Sequence, residues 1–117
     1  MEKRICGLNM QATTLFKCLS DTTRFELIML IHHHKTLCVC DFTTLLELSQ
    51  PKISRHLAQL REHGIVSDSR KGRWVYYSLN NQLPAWCQRV INETYEASQT
   101  ELAELLNKSL TSESCCE

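Results

Sequence analysis

Residues 49–57 read Ser49-Gln50-Pro51-Lys52-Ile53-Ser54-Arg55-His56-Leu57, and this stretch decides how the chain folds. Ser49 suits a helix N-cap, and Pro51 suits the first turn, where a missing N–H costs nothing. Ile53, Leu57 and Leu60 then recur at helical spacing as far as His63. Gly64 follows, the residue type that ends a helix in left-handed geometry at least cost. This punctuation predicts a helix over 52–63. Just upstream, Phe42, Leu45, Leu46 and Leu48 predict a second helix over 41–48. Two helices joined by a tight turn are the DNA-binding helix-turn-helix unit.

On the C-terminal side, 65–69 and 73–79 carry β-forming residues such as Val75, Tyr76 and Tyr77. Arg70-Lys71-Gly72 lies between them, so a hairpin with a basic tip is expected. On the N-terminal side, Met10, Leu15, Phe16 and Leu19 predict a helix over 9–19, and Phe25 to Ile31 predict another over 22–32. Ser20 or Asp21 caps the second, and His32-His33-His34-Lys35 ends it as a solvated terminus. After the hairpin, Asn80 or Asn81 with Pro84 opens one long helix running through Leu106. The order predicts a mainly α fold with a two-stranded β wing, a winged helix-turn-helix. It places one domain at 1–109 and a flexible, cysteine-containing tail at 110–117.

Composition agrees with one small globular domain: 117 residues, 43% of them apolar. No run of 18 apolar residues occurs and the first residues are polar, so a soluble cytoplasmic protein without membrane contact is expected. The formal net charge is zero, yet charge is unevenly placed. Between Pro51 and Arg73, six basic residues face only Glu62 and Asp68, whereas the last third is acidic. No Gly-rich phosphate loop, nucleophile with an evident acid partner, or paired carboxylates are present, which argues against an enzyme.

The basic segment is suited to double-stranded DNA. Gln50, Lys52, Ser54, Arg55 and His56 offer donors and acceptors on the outer side of the second helix of the pair, where base edges are read. Arg70, Lys71 and Arg73 on the wing suit phosphates or a minor groove. Trp74, Tyr76 and Tyr77 are expected to pack within the hairpin rather than stack on bases.

Four strings together, Phe16-Lys17-Cys18-Leu19-Ser20-Asp21, Leu37-Cys38-Val39-Cys40-Asp41, residues 49–57 and Gly72-Arg73-Trp74-Val75-Tyr76-Tyr77, resemble the ArsR/SmtB family of metal-responsive repressors. The 49–57 string is similar to arsenic-responsive members in particular, and the resemblance spans about residues 10–105. It implies a homodimer formed through the first and last helices, operator binding, and release by an inducer, with an arsenic resistance operon as the regulated target.

Seven cysteines, an odd number, read as thiols for metal or redox chemistry rather than as a disulfide framework. Cys38 and Cys40 sit just before and at the start of a helix, where unpaired amides favour thiolate. Two close thiolates suit As(III) or Sb(III) as inducer, with no organic cofactor. Residues two apart on a regular helix point about 200° away from each other, so the pair needs an irregular or fraying helix start. Many arsenic-responsive relatives carry a third cysteine where this chain has Thr43 and Thr44. Cys115 and Cys116 are therefore the candidates for the third bond, with Cys6 as rival by resemblance to cadmium- and lead-responsive members. Cd(II) or Pb(II) sensing, and a thiol redox switch pairing Cys38 or Cys40 with Cys87, are the alternatives. Cys18 and Cys87 otherwise read as small core residues.

Overall fold

A computed structural model describes residues 10–108. Its elements are α1 (Ala12–Ser20), α2 (Thr22–His34), β1 (Leu37–Cys38), α3 (Val39–Leu46), α4 (Gln50–Glu62), β2 (Val66–Lys71), β3 (Trp74–Leu79), α5 (Ala85–Ala97) and α6 (Ala103–Leu106). The fold is mostly helical with a small β-hairpin wing, as expected. The caps are those anticipated for α2 and α4: Asp21 accepts from the Arg24 amide at 3.0 Å, and Ser49 accepts from the Lys52 amide at 3.3 Å. Gly64 stops α4 with φ +81°, and no described helix is long and apolar enough to cross a membrane.

Helix α2 is the axis of the core. Leu27, Ile28, Met29, Leu30 and Ile31 are all buried, because α1, α4, α5 and β3 cover the helix from several sides; an element covered all round needs no polar face. Ile53, Leu57 and Leu60 hold α4 onto this core. Leu57→Ala is expected to cost about 2–5 kcal/mol in a denaturant melt, since the fully buried site has little room to collapse. A loss below ~1 kcal/mol would mean that α4 is not anchored there.

The structure corrects four expectations. A short strand, β1, pairs antiparallel with β3 and completes a three-stranded sheet in the order β1-β3-β2, with Leu37 opposite Tyr77 and Cys38 opposite Tyr76. Two residues are too few to leave a periodic signal. Helix α3 begins at Val39 rather than Asp41. In the wing, Arg70 and Lys71 belong to β2, paired with Val75 and Trp74, so the turn is Gly72-Arg73 alone. Gly72 has φ +64°, the left-handed first position of a tight hairpin turn that glycine fills without strain. Finally, the long last helix ends at Ala97 and resumes only at Ala103. Thr94 turns its hydroxyl back onto the Val90 carbonyl at 2.6 Å, and Ser98-Gln99-Thr100 is a run of poor helix formers. Cys6, Cys115 and Cys116, and the 110–117 tail, lie outside the described residues.

Candidate metal centre and nucleic-acid interface

Cys38 is the N-cap of α3, with φ −93° and ψ +170°. It is extended and so lies outside the helix, while Cys40 sits in the first turn. The two Sγ atoms are 3.3 Å apart, a non-bonded contact. The anticipated conflict between two-residue spacing and helical geometry therefore does not arise, and no fraying is needed to bring the sulfurs together. Asp41 fixes the arrangement. Its Oδ2 accepts from the Cys38 amide at 3.0 Å and from the Cys38 thiol at 3.3 Å. The Cys38 sulfur in turn faces the Asp41 amide in a reciprocal capping box. Sequence reading missed Asp41, although Cys-x-x-Asp is the capping-box spacing with sulfur in place of the usual hydroxyl. Thr43 donates to the Cys40 carbonyl at 2.8 Å, which ties the first turn down.

At 3.3 Å the two sulfurs are near enough to bond one small thiophilic ion together. Cys38 is only 2% exposed and Cys40 is half-buried. Both border a cavity of about 370 Å³ whose walls also include Thr43, Gln50, Arg73 and Trp74. Among the described residues no group of three or more His, Cys, Asp or Glu side chains is placed to hold a metal ion.

The other cysteines differ. Cys18 and Cys87 are buried in the core, and burial pushes both thiols up. A raised thiol pKa depletes the reactive thiolate, which works against a redox role for Cys87. The histidine run is not a solvated helix end. His33 Nδ1 lies 2.6 Å from the Tyr95 hydroxyl and His32 Nε2 lies 3.2 Å from Asn92 Oδ1, so the end of α2 is stitched to α5.

On the surface expected to meet DNA, Gln50, Lys52 and Arg55 of α4 and Arg70, Lys71 and Arg73 of the wing are exposed, and Ser54 is half-buried. Arg61 is committed elsewhere: it bridges Asp68 at 3.0 Å, tying α4 to β2. Lys71 and Arg73 lie over the rings of Tyr76 and Trp74, at 5.8 and 5.5 Å from their centroids. The aromatic residues thus steady the wing cations, as cation–π partners do. His56 is half-buried, with Nδ1 out of solvent and without a hydrogen-bond partner among the described residues.

Burial holds the pKa of both His34 and His56 below the ordinary 6.5. His34 also feels His33 and Asp41, and His56 feels Asp21, Arg24, Arg55 and Lys52. Below 6.5 the unfolded chain binds protons that the native state refuses, so this stability is complete above 6.5 and is lost as pH falls toward the lower native values. Melting temperature is expected to drop between about pH 7.5 and 5.5, and His34→Gln should shrink the drop. An unchanged pH slope in that variant would contradict the assignment.

The family model described as "Bacterial regulatory protein, arsR family" matches residues 21–68, from the α2 cap through the thiol pair and α4 into β2. The sequence is 44% identical over 101 residues to the arsenical resistance operon repressor of Escherichia coli, covering 86% of each protein. The chain belongs to the ArsR family. This ArsR-family regulator is also 54% identical over 85 residues to the arsenic resistance transcriptional regulator ArsR1 of Pseudomonas putida, 73% of this chain and 66% of that protein, just under two thirds of its length. Among solved structures, HlyU from Vibrio cholerae superposes with a TM-score of 0.66 at 27% identity, covering 74% of this chain and 89% of that one. As an ArsR-family member the protein is a DNA-binding transcriptional regulator and not an enzyme.

Proposed function

We propose that this regulator is a cytoplasmic repressor that binds operator DNA as a homodimer and is released when As(III) or Sb(III) bonds to Cys38 and Cys40, with Cys115 or Cys116 supplying the third bond. The observation that carries this reading is the 3.3 Å Sγ–Sγ separation at the start of α3, the helix packed directly against α4. A change at that cap has only one helix to cross before it reaches the element that reads bases. The names of the E. coli and P. putida relatives, both arsenic-resistance regulators, point the same way.

The domain at 1–109 does the folding, dimerisation and DNA binding, and 110–117 contributes sulfur. The dimer is formed through α1 and the last helices; Phe16, 53% exposed on α1, is the large apolar side chain left outside the described core. Gln50, Lys52, Ser54, Arg55 and His56 read the major groove, and Arg70, Lys71 and Arg73 hold the backbone.

The test is an anisotropy titration of fully reduced protein on a labelled duplex from its own promoter. Arsenite and antimonite are each added, then cadmium. Release by the first two under reducing conditions is the expected result. Release by oxidant that a thiol reductant reverses without metal would transfer the reading to a redox switch. Failure to bind the duplex more tightly than random DNA would remove the repressor reading altogether.

A further inference from the structure

The described part of the chain supplies two sulfurs to a metalloid centre that bonds three. Cys38 and Cys40 present theirs 3.3 Å apart, whereas Cys18 and Cys87 are buried in the core. Among the described residues no further His, Cys, Asp or Glu is placed to complete the set. The third bond of a pyramidal centre leaves the line between the two sulfurs toward whichever side is open. Here that side is the cavity of about 370 Å³, many times the roughly 30 Å³ of one water.

The walls of that cavity have two characters. Val39, Trp74 and Val75 are apolar, while Gln50 at the start of α4 and Arg73 at the wing turn bring an amide and a guanidinium to the same space. Among the described lining residues Arg73 is the one with a permanent charge. Arg73 is exposed, and its guanidinium lies over the Trp74 ring, 5.5 Å from the centroid. A guanidinium stacked in that way keeps its N–H edge for a carboxylate. An occupant that matches these walls has a short hydrocarbon body, a sulfur at one end and an anionic group at the other.

Building on the thiol-pair part of the reading above, we infer that the cavity receives a small carboxylate-bearing thiol as the third ligand of the bound metalloid, with its sulfur beside Cys38 and Cys40 and its carboxylate on Arg73. This source of sulfur is independent of Cys115 and Cys116. Each of the three thiols condenses with one As–OH group of arsenous acid and releases one water, so three As–S bonds form, three waters leave and no electrons change hands. The occupant also takes up Arg73 and crowds Gln50, two of the groups assigned above to DNA. Inducer and duplex then compete for the same side chains, which favours the DNA-free state when the cavity is filled.

The test uses the full-length protein kept reduced by a phosphine, which carries no sulfur. Arsenite binding is measured by equilibrium dialysis with mercaptopropionate and, separately, with mercaptoethanol, which has the thiol but no carboxylate. In Cys115→Ser/Cys116→Ser, where those positions offer no sulfur, mercaptopropionate is expected to tighten arsenite binding about fivefold more than mercaptoethanol does. Native mass spectrometry should then find one small thiol retained per arsenic, and Arg73→Gln should erase the preference. Equal effects of the two thiols, or complexes that hold arsenic without a retained thiol, would overturn the inference while leaving Cys38 and Cys40 as the sensor. Failure of the parent protein to bind arsenite under any of these conditions would instead overturn both.

Discussion

A Cys38→Ser repressor is expected to hold its operator as tightly as the parent and to need about a hundredfold or more arsenite to let go. The second bond of a chelate forms at the high effective concentration set by the first, and removing one sulfur forfeits that gain. Serine separates this loss from damage to the fold. Cys38 is the N-cap of α3 in extended geometry, a position serine fills at least as well as cysteine, and a hydroxyl can keep the reciprocal bonds with Asp41. Cys40→Ser should act alike in release. Cys18→Ser, in the core beneath α1 and α2, should cost stability instead. Anisotropy with arsenite and a thermal melt distinguish the outcomes, and normal arsenite release by Cys38→Ser would end the thiol-pair mechanism.

Arg70→Ala/Lys71→Ala is expected to weaken binding to operator and to random DNA by similar large factors, and to flatten the dependence on salt. The proposed dimer, losing two phosphate contacts from each wing, would lose about 3.6 from the log–log salt slope, at roughly 0.9 per contact. The fold should tolerate the change, since both side chains are exposed on the outer strand of the hairpin. Gln50→Ala should behave oppositely, relaxing discrimination between operator and variant sites while leaving the slope near its parent value. Fluorescence binding curves over a range of salt would measure both. An unaltered slope in the double variant would place the wing away from the phosphates.

The parts of the site legible in the sequence were those carried by local chemistry. The sulfur pair, the exposed polar side of α4 and the basic wing each announce themselves within a few residues. Asp41 was missed because its role is read only when Cys38 is treated as a cap rather than as a thiol. The histidine run was misjudged for a different reason: three consecutive histidines look solvated until Tyr95 and Asn92, some sixty residues later, are brought against them. Likewise Ser98-Gln99-Thr100 breaks a pattern whose apolar spacing alone predicts one unbroken helix.

The sequence by itself determined the helix-turn-helix and the hairpin that follows it, because caps, a helix-stopping glycine and apolar periodicity act over a turn or two and need no distant partner. It also determined which residues carry sulfur and charge. Tertiary structure alone decided that Cys38 pairs with the wing strand opposite Tyr76, that the two sulfurs meet at 3.3 Å, and that Gln50 and Arg73 share a cavity with them. These relations join residues up to thirty-eight positions apart, and they exist only because the core around α2 brings α3, α4 and β3 together. Hydrophobic burial sets those distances without specifying any one pair in advance.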